Sequence, residues 1–122
     1  MNKPKKSLNY FTLLIFAPVL ILTGLLGFIL PDGLMSNAPA YNIFHIIFGL
    51  IGLAFVLSGK ETLIRAFNIV FGLIDLYQAL ASLMDWFPES LFQWKPADDV
   101  LHIVIGAALV FIGLIGVKKL RD

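Results

Sequence analysis

Apolar residues fall into four long runs, at about 9–30, 42–58, 62–86 and 99–117, separated by polar and turn-forming residues. Backbone groups inside a bilayer have no water to bond, so runs of this length are predicted as helices. At 1.5 Å per residue each one crosses, or nearly crosses, a hydrocarbon layer about 30 Å thick. The second run is the shortest and spans with little tilt. Residues 31–41 read as a loop from their Pro, Gly, Ser and Asn content, and 87–98 as a second loop. Ser58-Gly59-Lys60-Glu61 reads as a tight turn, with Gly59 as the helix stop. Pro18 removes one hydrogen bond from the first helix and predicts a kink there. The basic start and apolar run resemble a signal peptide, but no small-x-small cleavage pattern precedes the loop. A retained helix is expected.

The pattern also repeats. The stretch from Pro31 to Gly49 returns 57 positions later (31 to 88) as Pro88 to Gly106, without a gap. Pro31/Pro88, Leu34/Leu91, Pro39-Ala40/Pro96-Ala97, His45-Ile46/His102-Ile103 and Gly49/Gly106 fall in register, and His45 and His102 are the only two histidines. Two helical hairpins follow, at about 9–58 and 62–117, related as a parallel repeat because an even number of spans precedes the second copy.

Composition sharpens this. The chain of 122 residues is 59% hydrophobic and 14% charged, with mean hydropathy +0.90. A soluble domain is roughly half apolar and a quarter charged. The absence of cysteine excludes disulfides and thiolate metal sites. A net charge of +1 points to no particular partner, and no basic stripe with interleaved aromatics suggests nucleic acid. Lys3, Lys5, Lys6, Lys60, Arg65, Lys118, Lys119 and Arg121 flank the termini and the central turn, whereas the long loops hold only Lys95. The positive-inside rule then puts both termini in the cytoplasm. Tyr41, Trp86, Phe87, Phe92 and Trp94 are expected to form an aromatic belt at the outer interface, and Tyr10 and Phe11 an inner one. The expected fold is all-α: one domain over 1–122, an integral membrane four-helix bundle of two tandem hairpin repeats.

Three stretches carry a family resemblance: Gly24-Leu25-Leu26-Gly27-Phe28 running into Pro31, Asn42 to Leu53, and Asp99-Val100-Leu101-His102 opening the last helix. With them the chain, from about Asn9 to Gly116, resembles the small four-helix bacterial membrane proteins catalogued as domain of unknown function 4383. The resemblance implies a multi-pass protein of the bacterial inner membrane, or of an internal membrane derived from it, and implies no activity.

Candidate chemistry is sparse. His45 and His102 should lie at equal depth, about one turn inside the outer ends of the second and fourth helices, each with a glycine at i+4. Polar groups in a bilayer are costly and tend to be functional. Both imidazoles as axial ligands of a haem b, or either as ligand to a chlorophyll magnesium, is the cofactor reading. No arginine is available on that side for propionates. The structural reading, in which each histidine bonds a loop carbonyl or a carboxylate, is preferred. Asn68, Gly72, Asp75, Gln78, Ser82 and Asp85 share one face of the third helix as a polar stripe. Asp75, near mid-span and the repeat mate of Pro18, either bonds the carbonyl that Pro18 frees or serves a proton or ion path; the structural pairing is preferred. Asp85 is expected at the depth of the histidines, where a carboxylate beside an imidazole makes a pH-sensing pair or a plain ion pair. Asp98 suits an N-cap of the fourth helix and Asn42 one of the second. A calcium site from Asp32, Glu89, Asp98 and Asp99 has no supporting spacing. Thr23, Gly24, Gly27, Gly49, Gly52, Gly106, Gly113 and Gly116 mark close helix packing. No catalytic motif or metal cluster is present.

The expected role is non-enzymatic: a structural or accessory subunit, as a homo-oligomer or with other membrane subunits. The alternatives are a cofactor carrier using His45 and His102, and a proton or ion conductor using Asp75.

Overall fold

The computed structural model describes residues 6–116. Lys3, Lys5, Lys118, Lys119 and Arg121, which weigh most in the charge asymmetry, lie outside the described residues. The described residues form helices and no strands: α1 (Leu8–Ile29), α2 (Pro39–Ser58), α3 (Glu61–Met84), a single turn α4 (Glu89–Phe92) and α5 (Pro96–Ile115). The four long helices are each long and apolar enough to cross a membrane, as a multi-pass membrane protein requires. α1 pairs with α2 and α3 with α5, and the two pairs touch each other far less extensively. The helices α1, α2 and α3 thus build two hairpins with α5, joined by a turn in which Gly59 adopts φ 70°. That left-handed conformation is the reason a glycine stands there.

The helix starts lie further out than the apolar runs suggest. Pro39 and Pro96 each open their helix in the first turn, where a missing N–H costs nothing and the fixed φ is already helical. α2 therefore begins three residues before Asn42, and α5 three before Asp99. Neither expected N-cap is one. Ala38 and Lys95 hold those positions, while Asp98 sits at the third helical position and reaches back to the Lys95 N–H at 2.8 Å. Asn42 is buried, and its Nδ2 donates to the Asn37 carbonyl at 3.0 Å. α1 continues through Pro18 as one helix, with the proline on an exposed face.

Within each hairpin glycine sets the closest approach. A Cβ added to Gly106 would meet the Gly72 carbonyl oxygen at 2.8 Å and Asp75 Cβ at 3.1 Å. One added to Gly49 would meet Ile21 N at 2.8 Å and the Ala17 carbonyl at 2.9 Å. Gly49 and Gly106 each let a neighbouring helix backbone come close within their own hairpin. Between the hairpins the core is apolar and aromatic, with Leu13, Ala17, Val56, Ile64, Phe67 and Phe71 buried in it.

At the turn end of the bundle polar groups fasten the hairpins. Ser7 caps α1 by accepting from Tyr10 N at 3.0 Å and donates to Glu61 at 2.6 Å. Asn68 Nδ2 donates to Asn9 Oδ1 at 2.9 Å, both residues fully buried. Arg65 Nε donates to the Gly113 carbonyl at 2.7 Å, satisfying an acceptor that the end of α5 leaves open.

Replacing Gly106 by Leu should lower the unfolding midpoint in detergent, through an overpacking cost of about 1–3 kcal/mol in unfolding free energy. Gly33→Ala is the control and should leave it unchanged, since its nearest neighbour would be Pro31 O at 3.9 Å. Equal midpoints for the two variants would contradict the tight α3–α5 crossing.

Candidate polar site at the loop end

Asp98 is the centre of the polar cluster at the loop end. It is fully buried, and a carboxylate there needs donors. Three segments supply them. Oδ2 accepts from Lys95 N and Ser36 N, each at 2.8 Å, and Oδ1 accepts from the Tyr41 hydroxyl at 3.2 Å. The first turn of α5 adds its positive end. Ser36 extends the tie: its Oγ donates to the Phe92 carbonyl at 2.6 Å and accepts from Ala38 N at 3.2 Å. One carboxylate thereby joins the first loop, α2, α5 and, through Ser36, α4.

The Tyr41 hydroxyl also shares a 2.7 Å hydrogen bond with Nε2 of His102. A hydroxyl has one proton. If it went to His102, two unprotonated oxygens would face each other at Asp98. Donating to Asp98 instead leaves Tyr41 to accept from Nε2–H, which places the His102 hydrogen on Nε2. The Tyr41 ring stands edge-on to both imidazoles, with centroids 4.3 Å from His45 and 5.8 Å from His102. Both histidines are buried, in agreement with their placement inside the helix ends, although the earlier helix starts set them deeper.

The cofactor reading needs both imidazoles, and the Tyr41 ring is packed edge-on against each. Nε2 of His102 is committed to Tyr41, while Nδ1 of each histidine is buried with no partner. The Tyr41 ring lies beside His45 where a planar macrocycle would need room. His45 and His102 are brought together around a phenol, and the expected bonds to a loop carbonyl or a carboxylate do not form: His102 bonds the Tyr41 hydroxyl and the Nδ1 of His45 has no partner.

The polar stripe of α3 is turned inward over most of its length: Asn68, Asp75 and Gln78 are buried, Ser82 is half-buried. Asp75 does not bond α1 near Pro18. It accepts from Gln78 Nε2 at 3.1 Å, one turn along its own helix, and Gln78 Oε1 accepts from Trp94 Nε1 at 3.0 Å. The second loop is thus held to α3 as Ser36 holds the first loop to α4. Asp85 lies apart from this. It is the exposed, left-handed C-cap of α3 (φ 57°), away from the imidazoles. The carboxylate beside His102 is Asp98, reached through Tyr41.

Two expected belt residues are also interior. Tyr41 is 1% exposed and Trp94 7%, whereas Trp86 and Phe87 face outward. Trp94, Tyr41, Ala38 and Ala81 form a small core of their own under the loops. Asp32 and Lys95 make the one ion pair among the described residues, with Lys95 also donating to the Gly33 carbonyl at 2.6 Å. The hydrogen bond and charge of Lys95 hold the exposed Asp32 carboxyl below its ordinary range. No three of His, Asp and Glu gather as a metal site among the described residues.

Tyr41, Asp98, Ser36 and Trp94 are the residues that sequence reasoning did not place here. A pattern pointed to two of them. Tyr41 and Asp98 are repeat mates (41 to 98), and each lies four residues before a histidine, on the same helical face.

Tyr41→Phe leaves Asp98 Oδ1 and His102 Nε2 buried without a partner, a loss of about 1–3 kcal/mol in unfolding free energy. In a double-mutant cycle with His102→Leu the two losses should couple by at least about 0.5 kcal/mol. Strict additivity would deny the bond.

Comparison with known protein families, with curated proteins and with solved structures finds no match, so the site rests on its own chemistry.

Proposed function

We propose that the chain is a non-enzymatic integral membrane protein, a structural or accessory component that works as a homo-oligomer or as a small subunit beside other membrane proteins. One observation carries this reading: connected sets of buried polar side chains at the loop end, from which His45 stands apart, are bonded together and to backbone and tie elements together. Asp98, Tyr41, His102, Gln78 and Trp94 are all engaged in this way. Large apolar side chains such as Ile15, Leu22, Ile47, Leu73, Val104 and Phe111 are exposed along all four long helices. The loops that join them are short and leave little watery surface for a reaction.

The same proposal includes the finer points of topology. Both termini are cytoplasmic, on the strength of the Lys and Arg distribution. The hairpins descend from a duplication, a view supported by Gly49 and Gly106 at equivalent crossings and by contact between the repeat mates Tyr41 and Asp98. The resemblance to the four-helix bacterial family, and with it a bacterial inner membrane, belongs here too.

A second reading, proton or ion conduction, draws on Asp75, which is 3% exposed at mid-helix and has the Gly106 backbone against it. In liposome flux measurements the accessory role predicts no difference between wild type and Asp75→Asn. A flux that Asp75→Asn abolishes would replace it.

For the accessory role itself, photo-cross-linking side chains at Ile47, Leu73 and Val104 in native membranes should give discrete protein adducts from at least one face. Steps of 13.5 kDa identify a homo-oligomer, and another fixed step identifies a different subunit. Lipid adducts alone at every position would contradict the proposal.

A further inference from the structure

The two hairpins meet differently from the way each is built. Glycines close the α1–α2 and α3–α5 seams, but the α2–α3 seam is lined by phenylalanine and leaves a groove of about 220 Å³. Phe67 and Phe71 form its floor, nearly fully buried and stacked at 5.4 Å between ring centroids. Phe55 meets Phe67 at 6.2 Å and Phe48 meets Phe71 at 5.3 Å, which closes the α2 wall. Ile51 and Val70 are the exposed rims, and Ala66 leaves the end near the turn open. The rings brace one another, so the groove is formed before anything enters it.

Its dimensions select the occupant. From Phe48 to Phe55 the groove follows about 10 Å of helix at 1.5 Å per residue. Over that length about 220 Å³ is a narrow channel, and every residue lining it is apolar, which suits one alkyl chain of a lipid. A helix, about 10 Å across with its side chains, cannot enter.

Charge selects the rest of the molecule. The helices that form the groove are joined by the Gly59-Lys60 turn, so Lys60 stands at the groove's end on the membrane surface. Its side chain is exposed, and the ion pair among the described residues, Lys95–Asp32, does not involve it. Glu61, the acid beside it, has one carboxylate oxygen engaged by Ser7. A basic residue at this level attracts an anionic headgroup.

We propose that the α2–α3 groove binds one acyl chain of an anionic phospholipid, with the Lys60 ammonium on the phosphate. The inference rests on the reading that the four helices span a bilayer. It is independent of any protein partner.

The test is native mass spectrometry of the purified full chain in detergent, doped with phosphatidylglycerol or with phosphatidylcholine. Wild type should retain one phosphatidylglycerol and prefer it to phosphatidylcholine. Ala66→Trp, on an exposed helix position, fills the groove and should reduce retention of both lipids at least tenfold. Val70→Trp does the same from the other rim if Ala66→Trp fails to fold. Lys60→Gln keeps the groove and should bring the two lipids to near parity. Unchanged retention in both Trp variants, or an undiminished preference in Lys60→Gln, would overturn the proposal. So would a dimer that the Trp variants abolish, because the groove would then hold a second copy. Release of the chain from membranes by alkaline carbonate would overturn the bilayer reading, and the lipid site with it, which distinguishes that failure from the loss of the lipid site alone.

Discussion

A carboxylate enclosed in an apolar bundle must be surrounded by donors, and the loop end of this protein is arranged around meeting that demand for Asp98. Two backbone N–H groups and one phenol converge on it, each from a different segment. The consequence is architectural. The first loop cannot leave α5 without stripping Asp98 of the Ser36 N–H, and α2 cannot move without taking Tyr41. Each such loss leaves a buried charge short of a partner, which costs more than the bond itself contributes. The same logic explains why His102 lies where it does. It gives Tyr41 the hydrogen bond that lets Tyr41 give its own proton away.

Packing divides the labour differently in the two directions. Inside each hairpin glycine lets helix backbones approach, and close van der Waals contact is what holds helices together where lipid is as apolar as the side chains. Between hairpins aromatic rings fill most of the space, and polar fasteners at both ends complete the join: Ser7–Glu61 and Asn9–Asn68 at the turn end, Asp98–Tyr41 and Asp98–Ser36 at the loop end. The seam in between keeps an open apolar groove.

The four spans were legible in the sequence because hydropathy over some twenty residues is a strong physical constraint on a chain in lipid. The boundaries were less so. Pro39 and Pro96 look like loop residues by composition, yet a proline in the first helical turn is compatible with the helix, and α2 and α5 begin there. The inward face of α3 was readable from its spacing down to Gln78, but Asp85 escapes it because the helix ends and the chain turns left-handed. Tyr41 and Trp94 resemble interfacial anchors by type. Hydrogen bonds to Asp98 and Gln78 draw them inside, a choice that depends on residues distant in sequence and is invisible to a belt rule. The histidine pair was found from the repeat alone, whereas its partner needed a distance.

The central claim is that His102 belongs to a structural network and that Tyr41 fixes it. Nitrogen NMR of the His102 side chain tests it most directly, on protein labelled with ¹⁵N in histidine and held in detergent or lipid. The account predicts hydrogen on Nε2, with a signal that shifts when Tyr41 is replaced by Phe. A ring with hydrogen on Nδ1 and a bare Nε2, indifferent to Tyr41→Phe, would contradict it and leave that nitrogen free to act as a ligand.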